Sequence, residues 1–215
     1  MINSNKLIFD DINVEVLPLG PLHTNVYLVS YNGSCVIIDP ACHAKRIVNA
    51  LDGRVPEAIL ITHAHFDHVG AAAELKESYS CPVYIHELDA PRLQEGCNKP
   101  HIEPCEPSVA LKDEDRLSLL GLNWRVMHTP GHSRGSACYY LDPQYNPNTT
   151  PILFSGDTLF AGAYGRTDFE GGSMPDMVSS LKKLNLLPDE TQVLCGHNEA
   201  TTIALARNQV FNKLF

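Results

Sequence analysis

Apolar residues fall along this chain in short runs, each stopped by glycine, proline or a small polar cluster, and the spacing within the runs changes from place to place. Residues 14–17, 26–29 and 35–39 are rich in Val, Ile and Leu. Pro/Gly and Asn-Gly punctuation separates them, which is the pattern of successive strands. Their close succession predicts a mostly antiparallel first sheet. Residues 41–51 suit a short helix and residues 58–62 a buried strand. Residues 69–79 carry Ala71, Ala72, Leu75 and Tyr79 at helical spacing. Later strand-like stretches run up to Pro130-Gly131, Gly156 and Gly196, and helices are expected over 175–184, beginning near Ser173, and over 200–211. Residues 142–151 read as a polar loop. Short buried strands interleaved with amphipathic helices predict a layered α/β fold.

The turns that stop these strands are chemically selective. The run 58–61 ends in Thr62-His-Ala-His-Phe-Asp-His-Val-Gly70, which places His63, His65, Asp67 and His68 behind one strand. Neutral imidazoles and carboxylates are the ligands preferred by zinc, iron and manganese. A solvated histidine-rich turn is the plainer alternative, but a turn has no need of that density. Open α/β sheets place their sites at the carboxyl ends of strands, where these residues fall. Asp67 and His68 also stand at the mouth of the 69–79 helix, where backbone N–H groups favour a carboxylate. Three later segments repeat the layout, delivering His132, Asp157 and His197 just after a strand and a glycine. Each alone reads as a satisfied turn residue. Their recurrence points to a metal centre built from several strands.

Composition narrows the setting. The 215 residues are 44% hydrophobic and 19% charged, ordinary for one globular domain with a full core. Twenty-five acidic against sixteen basic residues give −9, which argues against nucleic acid as the main partner. No apolar stretch approaches the ~20 residues that span a bilayer, and the N-terminal stretch 1–11 lacks the apolar region of a secretory signal. Seven scattered cysteines suit reduced thiols in a cytoplasmic protein. Cys195 beside Gly196 and His197 reads as a buried strand cysteine rather than a ligand or redox thiol. Residues 91–107, with Pro91, Pro100, Pro104 and Pro107, show no period. They read as a loop over the site, either a substrate lid or an inert excursion.

On these residues the chain resembles the metallo-β-lactamase superfamily, and within it the glyoxalase II-like proteins. The resemblance is carried by Thr62–Gly70, by Met127-His-Thr-Pro-Gly-His-Ser133, by Ser155-Gly-Asp-Thr-Leu-Phe160 and by Cys195-Gly-His197. It runs from Pro18-Leu-Gly-Pro-Leu-His-Thr-Asn25 almost to the C-terminus. It implies one domain over 1–215, an αββα sandwich of two mixed β-sheets with outer helices. It also implies two divalent metal ions, zinc first, with iron or manganese as alternatives. His63, His65 and His132 would hold one ion, Asp67, His68 and His197 the other, and Asp157 would bridge them. The implied activity is hydrolysis of a small thioester, with a metal-bridging hydroxide as nucleophile and Asp67 as the catalytic residue that orients it. A thiolate with a pKa of about 8.5 departs without a dedicated general acid. No G-x-S-x-G nucleophile elbow and no phosphate-cradling loop competes with this reading.

In glyoxalase II itself the stretch around 165–169 supplies a Lys and a Tyr that hold glutathione, and a second Tyr follows the last metal His. Here those positions are Arg166, Asp168 and Glu199. Arg166 is therefore either a substrate-binding residue that anchors a carboxylate or half of a structural pair with Asp168. The helical domain that larger glyoxalase II proteins append after the last metal His is not expected in a chain ending at Phe215. Gly165-Arg-Thr-Asp-Phe169 also resembles persulfide dioxygenases. That second reading is a mononuclear Fe(II) site on His63, His132 and Asp157, with open positions for O₂. A non-catalytic metal-binding module is a third reading, opposed by the full ligand set. The expected partner is a small-molecule thioester, with no nucleic acid and no membrane, and the sequence specifies no oligomeric state.

Overall fold

The central strands are buried on both faces, and that sets the layering. In the strand Ser34–Ile38, Cys35 and Ile37 belong to one apolar cluster and Val36 and Ile38 to another, and all are buried. A strand covered on both faces reads as a continuous apolar run, which is why these segments stood out in the sequence. The computed structural model describes residues 5–215. Residues 1–4, part of the N-terminal stretch screened for a signal and of the expected 1–215 domain, lie outside the described residues.

Seven strands form the first sheet in chain order: β1 (Asn5–Phe9), β2 (Ile12–Leu19), β3 (Thr24–Tyr31), β4 (Ser34–Ile38), β5 (Pro56–Leu60), β6 (Val83–His86) and β7 (Val109–Leu111). The expectation of a mostly antiparallel sheet is corrected here. β1 to β4 pair antiparallel, but β4 to β7 pair parallel, because helical crossovers rather than hairpins connect them. The second sheet has the order β15 (Thr201–Thr202), β14 (Gln192–Cys195), β11 (Ile152–Gly156), β10 (Ala137–Leu141), β9 (Leu122–His128), β8 (Arg116–Leu119). It too is mixed, with β11 and β14 parallel. A small hairpin, β12 (Leu159–Phe160) and β13 (Ala163–Tyr164), follows β11.

The sheets face each other across Val14, Val29, Val36 and Leu60 on one side and Trp124, Tyr139 and Phe154 on the other. Outside the first sheet lie α1 (Ala44–Leu51) and α3 (Ala72–Tyr79), contributing Ile47, Leu51 and Leu75. Outside the second lies α5 (Met174–Leu184), contributing Met177, Leu181 and Leu184 and capped by Ser173, whose Oγ accepts from the Asp176 N–H. Ile203, Val210 and Phe211 of the C-terminal helical segment join it there. The result is the expected αββα sandwich. Among the described residues no helix is long and apolar enough to cross a membrane.

Three local readings are revised. The helix expected over 69–79 is two helices, α2 (Phe66–Val69) and α3, because the Ala71 N–H donates to the Pro40 carbonyl at 2.9 Å instead of continuing the helix. At Gly70 the Ala41 carbonyl lies where a β-carbon would sit, so this junction needs glycine. The segment 91–107 is not loop throughout: α4 (Ala90–Gln94) and a 3₁₀ turn (Gly96–Asn98) occupy its start, with Pro91 in the first turn, where its missing N–H costs nothing. The C-terminal helix begins later than expected, as α6 (Ile203–Ala206) after β15, and passes through a π-turn (Arg207–Phe211) into α7 (Asn212–Leu214).

Candidate metal centre

Each expected ligand leaves the carboxyl end of a strand. His63 and His65 follow β5, Asp67 and His68 lie in α2, His132 follows β9, Asp157 follows β11 and His197 follows β14. All converge at one edge of the sandwich. One donor atom from each of His63, His65 and His132 falls within 4.8 Å of the others, and the same holds for Asp67, His68 and His197. Asp157 lies between the two groups. Its Oδ2 is 3.5 Å from His132 Nε2 and 3.4 Å from His197 Nε2, and its Oδ1 is 3.4 Å from His68 Nε2. The β-carbon missing at Gly196 would overlap Asp157 Oδ1, so the last strand approaches this carboxylate only as glycine.

Hydrogen bonds behind the site decide which ring nitrogen faces inward. His68 Nδ1 is 2.8 Å from Asp39 Oδ2, His132 Nδ1 is 2.8 Å from the Arg166 carbonyl, and His197 Nδ1 is 3.1 Å from the Leu22 carbonyl. His63 Nδ1 lies 3.0 Å from Thr62 Oγ1, which itself donates to Asp39 Oδ2 at 2.7 Å. With Nδ1 engaged by these outer partners in each, Nε2 is the nitrogen turned toward the centre. His65 is turned the other way, with Nδ1 2.8 Å from His132 Nε2. On Asp67, Oδ2 accepts from Thr24 Oγ1 at 3.0 Å.

The electrostatics suit cations. Burial holds His63 well below the ordinary imidazole value, takes His65 down to about 3 with help from His132, and lowers His132. These rings are neutral, the form that binds metal. Burial raises Asp67, yet the His197 hydrogen bond and the nearby His68 outweigh it and bring the carboxyl to about 2. Asp157 is held well below its usual range, His68 and His197 overcoming a burial effect of opposite sign. Burial also opposes charge on His68 and His197. The surrounding carboxylates prevail, raising His68 well above its usual value and His197 to about 9. Two protons thus stand between carboxylates where a divalent ion would otherwise neutralise them. His63 Nε2, His68 Nε2 and Asp157 Oδ1 are buried without a hydrogen-bond partner, and such orphaned groups call for a ligand. The residues present fit a binuclear metal site.

Two buried carboxylates that sequence reasoning passed over organise this edge. Asp39 binds the Thr62 N–H at 2.7 Å as well as Thr62 Oγ1 and His68. Its signal was present: it ends the apolar strand β4, as Asp157 ends β11. Asp89 accepts from the Ala64 N–H at 2.9 Å, Ser133 Oγ at 2.8 Å and the Gly135 N–H at 2.7 Å, tying the His63–His65 loop to the His132 loop. No local pattern marked it. Cys195 is buried in β14, its thiol pushed up to about 12 by burial, and all seven cysteines are free.

A cavity of about 620 Å³ opens over the centre. His65, Asp67, His132, Asp157 and His197 form part of its lining, with Leu22, Phe66, Phe160 and Phe169 as apolar surface and Arg92, Lys99 and Arg166 as cations. Arg92 and Lys99 come from the 91–107 segment, which therefore contributes to the cavity wall. Arg166 makes a bidentate pair with Asp168, at 2.7 and 2.6 Å, and its guanidinium lies 4.0 Å from the centre of the Phe169 ring. The hydrogen bond from Arg166 brings the Asp168 carboxyl to about 2.

Comparison with known proteins agrees with this architecture. The family model described as the Metallo-beta-lactamase superfamily matches residues 19–197. The chain is 34% identical over 203 residues to the probable metallo-hydrolase YqgX of Bacillus subtilis (strain 168), covering 90% of this chain and 93% of that protein. It is 38% identical over 168 residues to a hydroxyacylglutathione hydrolase of Klebsiella pneumoniae, covering 77% of this chain but 58% of that longer protein. Among solved structures, TTHA1623 in a di-iron-bound form matches with a TM-score of 0.80 and 39% identity, over 90% of this chain and 97% of that one.

Proposed function

The chain belongs to the metallo-β-lactamase superfamily, and we propose that it is a binuclear-metal hydrolase acting on a small thioester. The observation that carries this reading is the position of Asp157, whose carboxylate oxygens lie 3.4–3.5 Å from His132 on one side and from His68 and His197 on the other. A mononuclear site would need no carboxylate spanning two donor groups. On this reading His63, His65 and His132 would hold the first ion, and Asp67, His68 and His197 the second, with Asp157 between them. Zinc is the first choice for this donor set, and iron and manganese accept the same ligands. When bound, such a pair supplies hydroxide from water near neutral pH and draws charge from a carbonyl oxygen.

The rest is work for the chain's own side chains. Asp67, whose Oδ2 accepts from Thr24 Oγ1, lines the cavity and would orient the attacking oxygen. Phe66, Phe160, Phe169 and Leu22 give the cavity an apolar surface on which the aliphatic parts of a substrate can pack. The leaving thiolate needs no protonation. The similarity to hydroxyacylglutathione hydrolases supports a thioester over an amide. Metal analysis combined with S-lactoylglutathione hydrolysis and O₂ uptake with glutathione persulfide tests the reading. Two ions per chain with thioester hydrolysis are expected. A single iron with persulfide-dependent O₂ uptake would replace it with the dioxygenase assignment on His63, His132 and Asp157.

A further inference from the structure

Five buried side-chain atoms lack a hydrogen-bond partner among the described residues: His63 Nε2, His68 Nε2, Asp157 Oδ1, Arg92 Nε and Thr191 Oγ1. The first three belong to the metal centre. Thr191 precedes β14, at the end of that strand remote from the centre. Arg92 is different, because it lines the same cavity as the metal ligands. A buried guanidinium N–H without an acceptor is costly, since the desolvation of a charged donor is left uncompensated.

Its neighbour Lys99 is also unpaired. Lys99 lines the cavity, is exposed, and has its ammonium 5.6 Å from the centre of the Phe66 ring. Among the described residues neither Arg92 nor Lys99 makes a side-chain hydrogen bond or an ion pair, whereas Arg54, Arg125, Arg166, Lys183 and Arg207 all have carboxylate partners. Other cations, such as Lys45, Arg46 and Arg134, also lack carboxylate partners, but among the described residues Arg92 and Lys99 are the unpaired ones that line this cavity. The backbone that carries Arg92 is also anchored. Asp89, which precedes α4, is hydrogen-bonded to both ligand loops, and Leu93 is fully buried in the core. The other carboxylates on the cavity wall are Asp67 and Asp157, engaged with the histidines, and Glu170.

On the thioester reading above, we propose that Arg92 and Lys99 form the anion anchor of this cavity and hold a carboxylate carried by the thiol portion of the substrate. The acyl carbonyl then lies over the metal centre, and the aliphatic part of the thiol packs on Phe66. Arg166, already bound by Asp168, is not the anchor. The role is one of positioning and specificity, so it acts on KM for acidic substrates rather than on the chemical step.

Steady-state kinetics of the metal-loaded protein on two lactoyl thioesters test this: the glutathione ester, which carries carboxylates, and the neutral N-acetylcysteamine ester. Arg92→Gln and Lys99→Gln should each lower the preference for the acidic ester about 10- to 100-fold through KM, the range of a charge-assisted hydrogen bond. Lys76→Gln, a surface lysine outside the cavity, is the control. An unchanged preference in both anchor variants overturns the proposal. Should the wild type hydrolyse neither ester, the thioester reading fails, and calorimetric binding of S-methylglutathione against its dimethyl ester decides the anchor separately. Tighter binding of the acid that disappears in the Arg92→Gln/Lys99→Gln double variant supports it, and equal affinity of wild type for acid and ester refutes it. If Arg92→Gln does not fold, Lys99→Gln on its exposed side chain carries the same comparison.

Discussion

His68 Nδ1 lies 2.8 Å from Asp39 Oδ2, and this contact between a residue of α2 and one at the end of β4 selects the nitrogen that faces the second metal position. Asp39 is buried, and the same carboxylate also holds Thr62 and, through it, His63. One side chain outside both proposed coordination shells therefore orients a ligand in each.

Asp39→Ala should weaken metal binding by roughly 10- to 100-fold, the usual effect of removing an outer-shell partner. Leaving the buried Thr62 N–H unpaired should also cost about 1–3 kcal/mol of stability. Chelator competition and denaturant unfolding measure the two effects. Wild-type affinity in the variant would show that Asp39 does not set the ring orientation.

Asp67→Ala should reduce thioester turnover by at least about 100-fold, since it removes a ligand and the group proposed to orient the attacking oxygen. The fold should persist, because Asp67 lies at the cavity and outside the apolar clusters. Elemental analysis should find the second ion depleted. Near-normal turnover with one ion bound would separate hydrolysis from the second position.

His86 supplies a pH dependence independent of the metal ligands. It is buried and stacked on His128, with ring centres 3.9 Å apart, and its Nδ1 accepts from the Leu88 N–H. Burial, with His128 beside it, brings its pKa down to about 4. The unfolded chain, with the ordinary value of about 6.5, then binds this proton more tightly than the folded one. This contribution to stability is present in full above pH 6.5 and is lost as the pH falls toward 4, a loss on the order of 3 kcal/mol at most. Denaturant unfolding at pH 7.5 and 5 should show a smaller drop for His86→Phe than for wild type. Parallel losses in the two proteins would assign the acid sensitivity elsewhere.

Arg166→Ala should change KM for the acidic and neutral thioesters by similar factors, below about threefold, because an exposed ion pair contributes little. Its carbonyl, which accepts from His132, remains in the variant. A tenfold rise in KM confined to the acidic ester would make Arg166 the carboxylate anchor after all.

The ligand types, their strand-end placement and the sandwich architecture were legible in the sequence because each is encoded locally. A buried strand must be an apolar run, a sharp exit from it needs glycine or a polar turn, and His63, His65, Asp67 and His68 lie within one such turn. The break between α2 and α3 was not legible, since it depends on the Pro40 carbonyl capturing the Ala71 N–H from a segment far along the chain. Nor was the parallel half of the first sheet, which the path of the crossovers decides. The same holds around the centre. Asp89 meets Ala64 and Gly135 across 25 and 46 positions, and Arg92 is without a partner while Arg166 is paired. Spacing along the chain names the atoms that can bind a metal. Packing brings distant donors and acceptors within reach, and so decides which of those atoms face inward and which charges remain free for a substrate.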